Sequence, residues 1–165
     1  MQTGFTHESA HNESKEWYTP PAIFERLGLQ FDVDPASPGA LVVPWIPAKV
    51  HHTVKEDGLH VPWCGKVWLN PPYGQDTPRW LAKLVGHGNG IALVFARTDT
   101  EWFHQYAVRA DVLCFMRGRI RFISGSGKVG TSCAGAGSLL LAYGEECAKA
   151  LLSSELGWMV DLRRR

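Results

Sequence analysis

The chain has 165 residues, 45% apolar and 20% charged, enough for one hydrophobic core and short for two. Its net charge of +1 gives no global basic field, and no run approaches the roughly 18 apolar residues of a membrane span. The polar N-terminus lacks the apolar stretch of a signal peptide, so the expectation is a cytoplasmic protein.

Residues 1–15 are polar and aperiodic and read as a mobile arm, with a single domain expected over 16–165. Thr19 as cap, Pro20 and Pro21 in the opening turn and Gly28 as stop predict a helix that buries Ile23, Phe24 and Leu27. Phe31-Asp32-Val33-Asp34 alternates as a short strand that Pro35 ends. The proline-rich stretch 38–62 reads as a long loop with at most one short strand. Within it, His51 and His52 are adjacent and on a strand would face opposite ways, so no metal site is assigned.

Lys66 to Leu69 is a second strand candidate, running into Asn70-Pro71-Pro72-Tyr73. Thr77-Pro78 opens a helix through about Val85, with Trp80, Leu81 and Leu84 inward. Ile91 to Phe95 is almost continuously apolar, as in a strand buried on both faces of a parallel sheet. A helix capped by Asp99 or Thr100 follows through roughly Arg109, and Trp102 and Phe103 read as core residues. Val112 to Met116 forms another buried strand. Arg117-Gly118-Arg119-Ile120-Arg121-Phe122 alternates with period two, which as a strand would put three arginines on one face. A glycine-rich loop from Ser124 to Gly137, a strand from Ser138 to Tyr143 and helix signals in 145–152 close the pattern. Strands alternating with helices predict an α/β domain on a mixed, mostly parallel sheet flanked by helices. Four cysteines, Cys64, Cys114, Cys133 and Cys147, form no Cys-x-x-Cys pair and read as reduced, mostly buried thiols.

Asn70-Pro71-Pro72-Tyr73 carries the sharpest chemistry. As punctuation it would be a turn, but that leaves unexplained an aromatic after two prolines at a strand's carboxyl end, where open α/β sheets place ligands. An adenine amino nitrogen shares its lone pair with the ring and is a poor nucleophile. An Asn side-chain oxygen and the Pro71 carbonyl, accepting its two N–H bonds, would localise that lone pair. Two prolines hold the carbonyl rigidly outward, and Tyr73 offers a flat ring on which an extruded base can stack. Arg97 and Thr98, at the end of the most buried strand, are candidate DNA contacts, with a surface salt bridge as the plainer account of Arg97. Arg117, Arg119, Arg121 and Lys128 are further DNA candidates, the competing account of the arginine ladder being a solvated edge strand. Gly125-Ser126-Gly127-Lys128 is not a nucleotide phosphate loop, because Val129 stands where a metal-binding hydroxyl is required.

Asn70-Pro71-Pro72-Tyr73 resembles the Asp/Asn/Ser-Pro-Pro-aromatic motif of amino-methyltransferases. Further blocks are similar to those of the phage-type (Dam-like) DNA N-6-adenine methyltransferases. They are Glu16-Trp17-Tyr18-Thr19-Pro20, Phe31 to Ser37, Glu56-Asp57-Gly58-Leu59 with Trp63 and Gly65, Phe95 to Thr100, and Arg117 to Phe122. In order they span about residues 16–144. The resemblance implies a compact Rossmann-like fold without a separate target-recognition domain, S-adenosylmethionine as cofactor and a flipped adenine of DNA as substrate. It implies phage or prophage origin, with a role in restriction-modification, and leaves room for a homodimer. Asn70, Pro71, Pro72 and Tyr73 would be catalytic. Tyr18, Thr19, Pro20, Asp34, Pro35, Ala36, Asp57, Leu59 and Asn70 would hold the cofactor, Asp57 through its adenosine.

The chain departs from the family pattern after Asp34, where the full Asp-Pro-x-x-Gly-x-Gly loop is missing, so Asp34-Pro35 can also be read as a plain strand end. Only 35 residues separate Asp34 from Asn70, so intervening elements must be shortened or absent. The same chemistry would serve an amino-methyltransferase acting on RNA or a protein glutamine, and a non-catalytic DNA- or cofactor-binding relative is the third reading.

Overall fold

The computed structural model describes residues 17–124 and 134–163. In chain order the elements are β1 (Trp17–Tyr18), α1 (Pro21–Leu27), β2 (Phe31–Asp34), β3 (Ala48–His51), β4 (Val67–Leu69), α2 (Thr77–His87), β5 (Gly90–Phe95), α3 (Glu101–Gln105), a 3-10 turn (Ala107–Arg109), β6 (Val112–Met116), β7 (Ile123–Ser124), β8 (Ser138–Tyr143), α4 (Glu145–Ser153) and β9 (Gly157–Asp161). The arm 1–15, Glu16, the segment 125–133 with Lys128 and Cys133, and the last two arginines lie outside the described residues.

Seven strands form one sheet in the order β3-β2-β4-β5-β8-β6-β9, and β1 pairs with β7 in a separate ribbon. β3, β2, β4 and β5 are mutually parallel, whereas β8 enters antiparallel between β5 and β6 and β9 lies antiparallel against β6. The sheet is therefore mixed, with five strands running one way and two the other. Between β2 and β4 only β3 intervenes, without a helix, which accounts for the short spacing from Asp34 to Asn70.

Both faces are covered. Ile23, Phe24 and Leu27 of α1 and Cys147, Ala148 and Leu151 of α4 pack with Trp68, Ile91, Leu93 and Leu140 on one side. Trp80, Leu81 and Leu84 of α2 pack with Val67, Leu69, Ala92, Val94 and Leu141 on the other, where Trp102 and Phe103 also lean on the core. Burial on two faces explains why β4, β5 and β8 are apolar throughout rather than alternating. Among the described residues no helix is long and apolar enough to cross a membrane.

Several expectations are corrected. Pro20 rather than Thr19 is the N-cap of α1, and Asp76 rather than Thr77 that of α2, neither with a side-chain cap hydrogen bond. Helix α2 continues to His87, and the helix expected through Arg109 breaks at Tyr106 into a 3-10 turn. Residues 117–122 do not form a strand. Gly118 at φ +77° turns the chain away from β6 after the Arg117 amide donates to the Leu156 carbonyl (3.0 Å). The burial alternation nevertheless holds, with Ile120 and Phe122 buried and the three arginines exposed. Cys64 is exposed, while Cys114 and Cys147 are buried. Strand β9 was not expected. It depends on Gly157, where a Cβ would overlap the Phe115 carbonyl across the β6–β9 pair.

Candidate active site

In the parallel part of the sheet β2 is followed by β3 on one side, while β4 is followed by β5 on the other. Chain order thus reverses between the adjacent strands β2 and β4, and open α/β sheets bind ligands outside the carboxyl ends at such a point. Asp34 ends β2 and Asn70 directly follows β4, so the topology brings the two sequence blocks to one edge of the sheet.

The Asn70 side chain is held across the chain. Its Nδ2 donates to the Trp17 carbonyl of β1 (3.1 Å), which turns Oδ1 the other way, where the Tyr73 hydroxyl approaches at 3.4 Å. That contact is too long to be strong, so the amide oxygen remains open to a better donor. The Tyr73 ring stacks on Phe95 at the end of β5, with centroids 4.1 Å apart and planes 13° from parallel. Tyr73 is still 37% exposed, leaving aromatic surface for a partner. Thr77, at the start of α2, donates from Oγ1 to the Pro72 carbonyl (3.1 Å) and accepts from the Gly74 amide (3.2 Å). The Pro72 carbonyl is thereby used, while that of Pro71 receives no donor among the described residues.

Around β2 the polar groups are buried. Asp34 is 2% exposed; its Oδ1 accepts from the Ala36 amide (3.3 Å) and its Oδ2 lies 3.8 Å from His51 Nδ1. Burial pushes the Asp34 carboxyl up to about 7 and pulls His51 below its ordinary value, so no permanent cation neutralises Asp34. His51 Nδ1 instead shares a hydrogen bond with the Ser37 hydroxyl (2.8 Å). The turn 57–61 lies against this segment, since a Cβ on Gly58 would overlap the Pro35 carbonyl oxygen. In that turn Asp57, at φ +52°, accepts from the Leu59 amide (3.2 Å) and pairs with His60 Nδ1 (2.6 Å). The His60 contact holds its carboxyl below the usual carboxylate range. Tyr18 and Thr19 are buried and Pro20 partly so; the Thr19 carbonyl accepts from Trp45 Nε1 (2.9 Å). The Thr19 hydroxyl is buried without a hydrogen-bond partner among the described residues, a state that costs stability unless a further group satisfies it.

Arg97 and Thr98 are exposed just beyond β5, on the carboxyl edge shared with Asn70, and Arg97 Nε lies 3.5 Å from Asp99. Arg117, Arg119 and Arg121 are exposed on the segment after β6, whose carboxyl end points the same way, and Arg119 donates to the Ala134 carbonyl (3.0 Å). The structure thus groups Asn70, Pro71, Pro72 and Tyr73, and separately the buried carboxyl of Asp34 with the 57–61 turn. The sequence reading missed the Trp17 carbonyl, Phe95 and Thr77 as supports of the Asn70 loop. A backbone acceptor leaves no side-chain signal, and Phe95 reads as one more core residue of an apolar strand.

The Asn70 loop thus lies beside a partly exposed aromatic at the switch point of a two-faced α/β sheet. The family model for DNA N-6-adenine-methyltransferase (Dam) matches residues 7–154, most of the chain, and the chain belongs to that family, whose reaction is methyl transfer to N6 of adenine in DNA. No curated protein and no solved structure matches the chain. Family membership thus favours DNA adenine over the RNA, glutamine and non-catalytic readings.

Proposed function

We propose that Asn70 and Pro71 accept the two N–H bonds of the target adenine amino group, and that Tyr73 stacks on the base once it has left the duplex. One observation carries this reading. The Asn70 amide is oriented by the Trp17 carbonyl, so its oxygen points to the same loop surface as the Tyr73 hydroxyl. Accepting both N–H bonds localises the nitrogen lone pair, and the proton can leave after methyl transfer, so a strong base is not required. An arriving amino group replaces the long Tyr73 contact at Asn70 Oδ1. Thr77 and the two prolines keep the loop from relaxing away.

The methyl donor of this reading is S-adenosylmethionine, which supplies an electrophilic methyl on a sulfonium centre. The chain fits such a group: among the described residues Asp34 is a buried carboxyl without a fixed cation, and the Thr19 hydroxyl is a buried donor without a partner. Tyr18, Thr19, Pro20, Asp34, Pro35, Ala36, Asp57 and Leu59, with Asn70, would hold it. The β3-β2-β4-β5 order with its switch point supports a Rossmann-like description of the parallel half of the sheet. Arg97, Thr98, Arg117, Arg119 and Arg121, on one edge, would face the phosphates. We read the chain as a phage-type enzyme of restriction-modification character, working inside a bacterial cell. Recognition by a few loops, aided by dimerisation, suits a short target sequence.

Calorimetric titration with S-adenosylmethionine tests the cofactor site. D34N should bind the cationic donor roughly ten- to a hundredfold more weakly than wild type, as expected for loss of a charge-assisted contact of about 1.5–3 kcal/mol. Equal affinity would remove Asp34 from the site.

A further inference from the structure

Helix α2 touches two loops that the sequence keeps apart. Thr77, at its start, holds the Pro72 carbonyl of the Asn70 loop. One turn on, Trp80 stacks on Trp63, with centroids 6.2 Å apart and planes 16° from parallel. Next along the same stripe, Lys83 Nζ donates to the carbonyls of Gly58 (3.0 Å), Leu59 (2.8 Å) and Val61, and sits 4.6 Å over the Trp63 ring. His87 closes the row with a 2.7 Å contact between Nε2 and the Gly65 carbonyl. Residues 77, 80, 83 and 87 follow helical spacing, so one face of a single helix grips both segments.

An ammonium group has three N–H donors, and here each finds a backbone carbonyl in a stretch of four residues. Three convergent acceptors fix that turn as a side-chain network would, with the aromatic face of Trp63 completing the seat. The turn is also pinned from the other side, where Gly58 abuts the Pro35 carbonyl without room for a Cβ. A surface lysine on an amphipathic helix would ordinarily snorkel to water rather than turn inward on main-chain oxygens. Withdrawal from water lowers the Lys83 pKa, partly opposed by the Asp57 carboxylate, and the three acceptors compensate for that loss of hydration.

We propose that Lys83 is a positioning residue for methyl-donor binding: it locks the 57–61 turn against Pro35 and ties it through α2 to the loop of Asn70. The proposal rests on the reading that Asp34–Ala36 and the 57–61 turn hold the donor. It assigns Lys83 no contact with donor or base.

The test uses the full chain with Lys83→Met, which keeps the stem and removes the donors; K83Q serves if K83M does not fold. Two quantities are read in each protein. The first is hydrogen exchange at the His60 and Val61 amides, which bond to the Asp57 carbonyl at 2.8 and 3.2 Å. The second is the dissociation constant for S-adenosylmethionine together with kcat at saturating donor. The expected result is faster exchange confined to the turn and donor binding on the order of tenfold weaker, inside the hundredfold that a ~1 Å misplacement can cost. kcat at saturation should remain within about twofold, a split that general loss of stability would not produce.

Unchanged exchange would overturn the clamp itself. Faster exchange with unchanged donor affinity would overturn its role in donor binding. The underlying reading is probed separately by D34N: if that variant binds donor like wild type while K83M binds weakly, the Asp34 assignment fails and the clamp stands.

Discussion

Asp34 is a carboxyl buried at the end of β2, 2% exposed. His51 and Ser37 are the polar side chains that face it, and burial pushes His51 toward the neutral form. With its carboxyl raised to about 7 from an ordinary 3.8, the native protein holds a proton that the unfolded chain has already released. A carboxyl raised on folding favours the native state at low pH, and that advantage is lost as pH climbs through the window. The contribution of Asp34 should therefore decline between pH of about 4 and about 7 and change little above it, opposed in that range by His51, whose lowered value adds stability as pH rises. Thermal midpoints of wild type and D34N, compared across that range, isolate the contribution, because carboxylates lowered on folding, such as Asp32 and Glu145, are common to both. Parallel curves for the two proteins would show that Asp34 is not raised. At the same scale, Asn70 and Tyr73 were legible in sequence because their residue types state their chemistry, whereas the Trp17 carbonyl that orients Asn70 could come only from tertiary pairing.

At the scale of elements, periodicity identified what is buried better than what is hydrogen-bonded. In 117–122 the alternation correctly separated Ile120 and Phe122 from Arg117, Arg119 and Arg121, yet no ladder forms because Gly118 at φ +77° redirects the backbone. A strand needs a neighbour as well as a pattern. The converse occurred at β9, where a neighbour exists but the short run after Gly157 is too mixed in burial to announce itself. Helix caps were displaced by one residue at α1 and α2; at α2, Thr77 gives its hydroxyl to the Pro72 carbonyl rather than to its own helix. The arginines of 117–121 are exposed, and in the proposed reading they meet DNA phosphates. Replacing Arg119 or Arg121 with Ala should reduce the slope of log K against log salt for DNA binding by about 1 each, with affinity lowered evenly across sequences. Filter binding over a range of sodium chloride checks this, and unchanged slopes would show that the arginines face away from DNA.

At the scale of the whole molecule, the strand order does what no single motif does. It places the end of β2 beside the end of β4, and so sets Asp34 and Asn70, distant in sequence, on one edge. The α/β class was legible from alternating apolar runs and helix signals. The position of β8 between β5 and β6 was not, because an apolar strand carries no mark of its direction. The links between the halves of the site, from β1 to Asn70 and from α2 to two loops, are properties of the folded chain alone. All of them converge on the claim that the Asn70 loop performs the transfer. The most direct test is labelled methyl transfer from S-adenosylmethionine to unmethylated DNA by wild type and Asn70→Ala, with the product digested to nucleosides. Label in N6-methyladenine that falls on the order of 10²–10³-fold in the variant, measured at saturating donor, is the expected result. Transfer that persists in Asn70→Ala would contradict it.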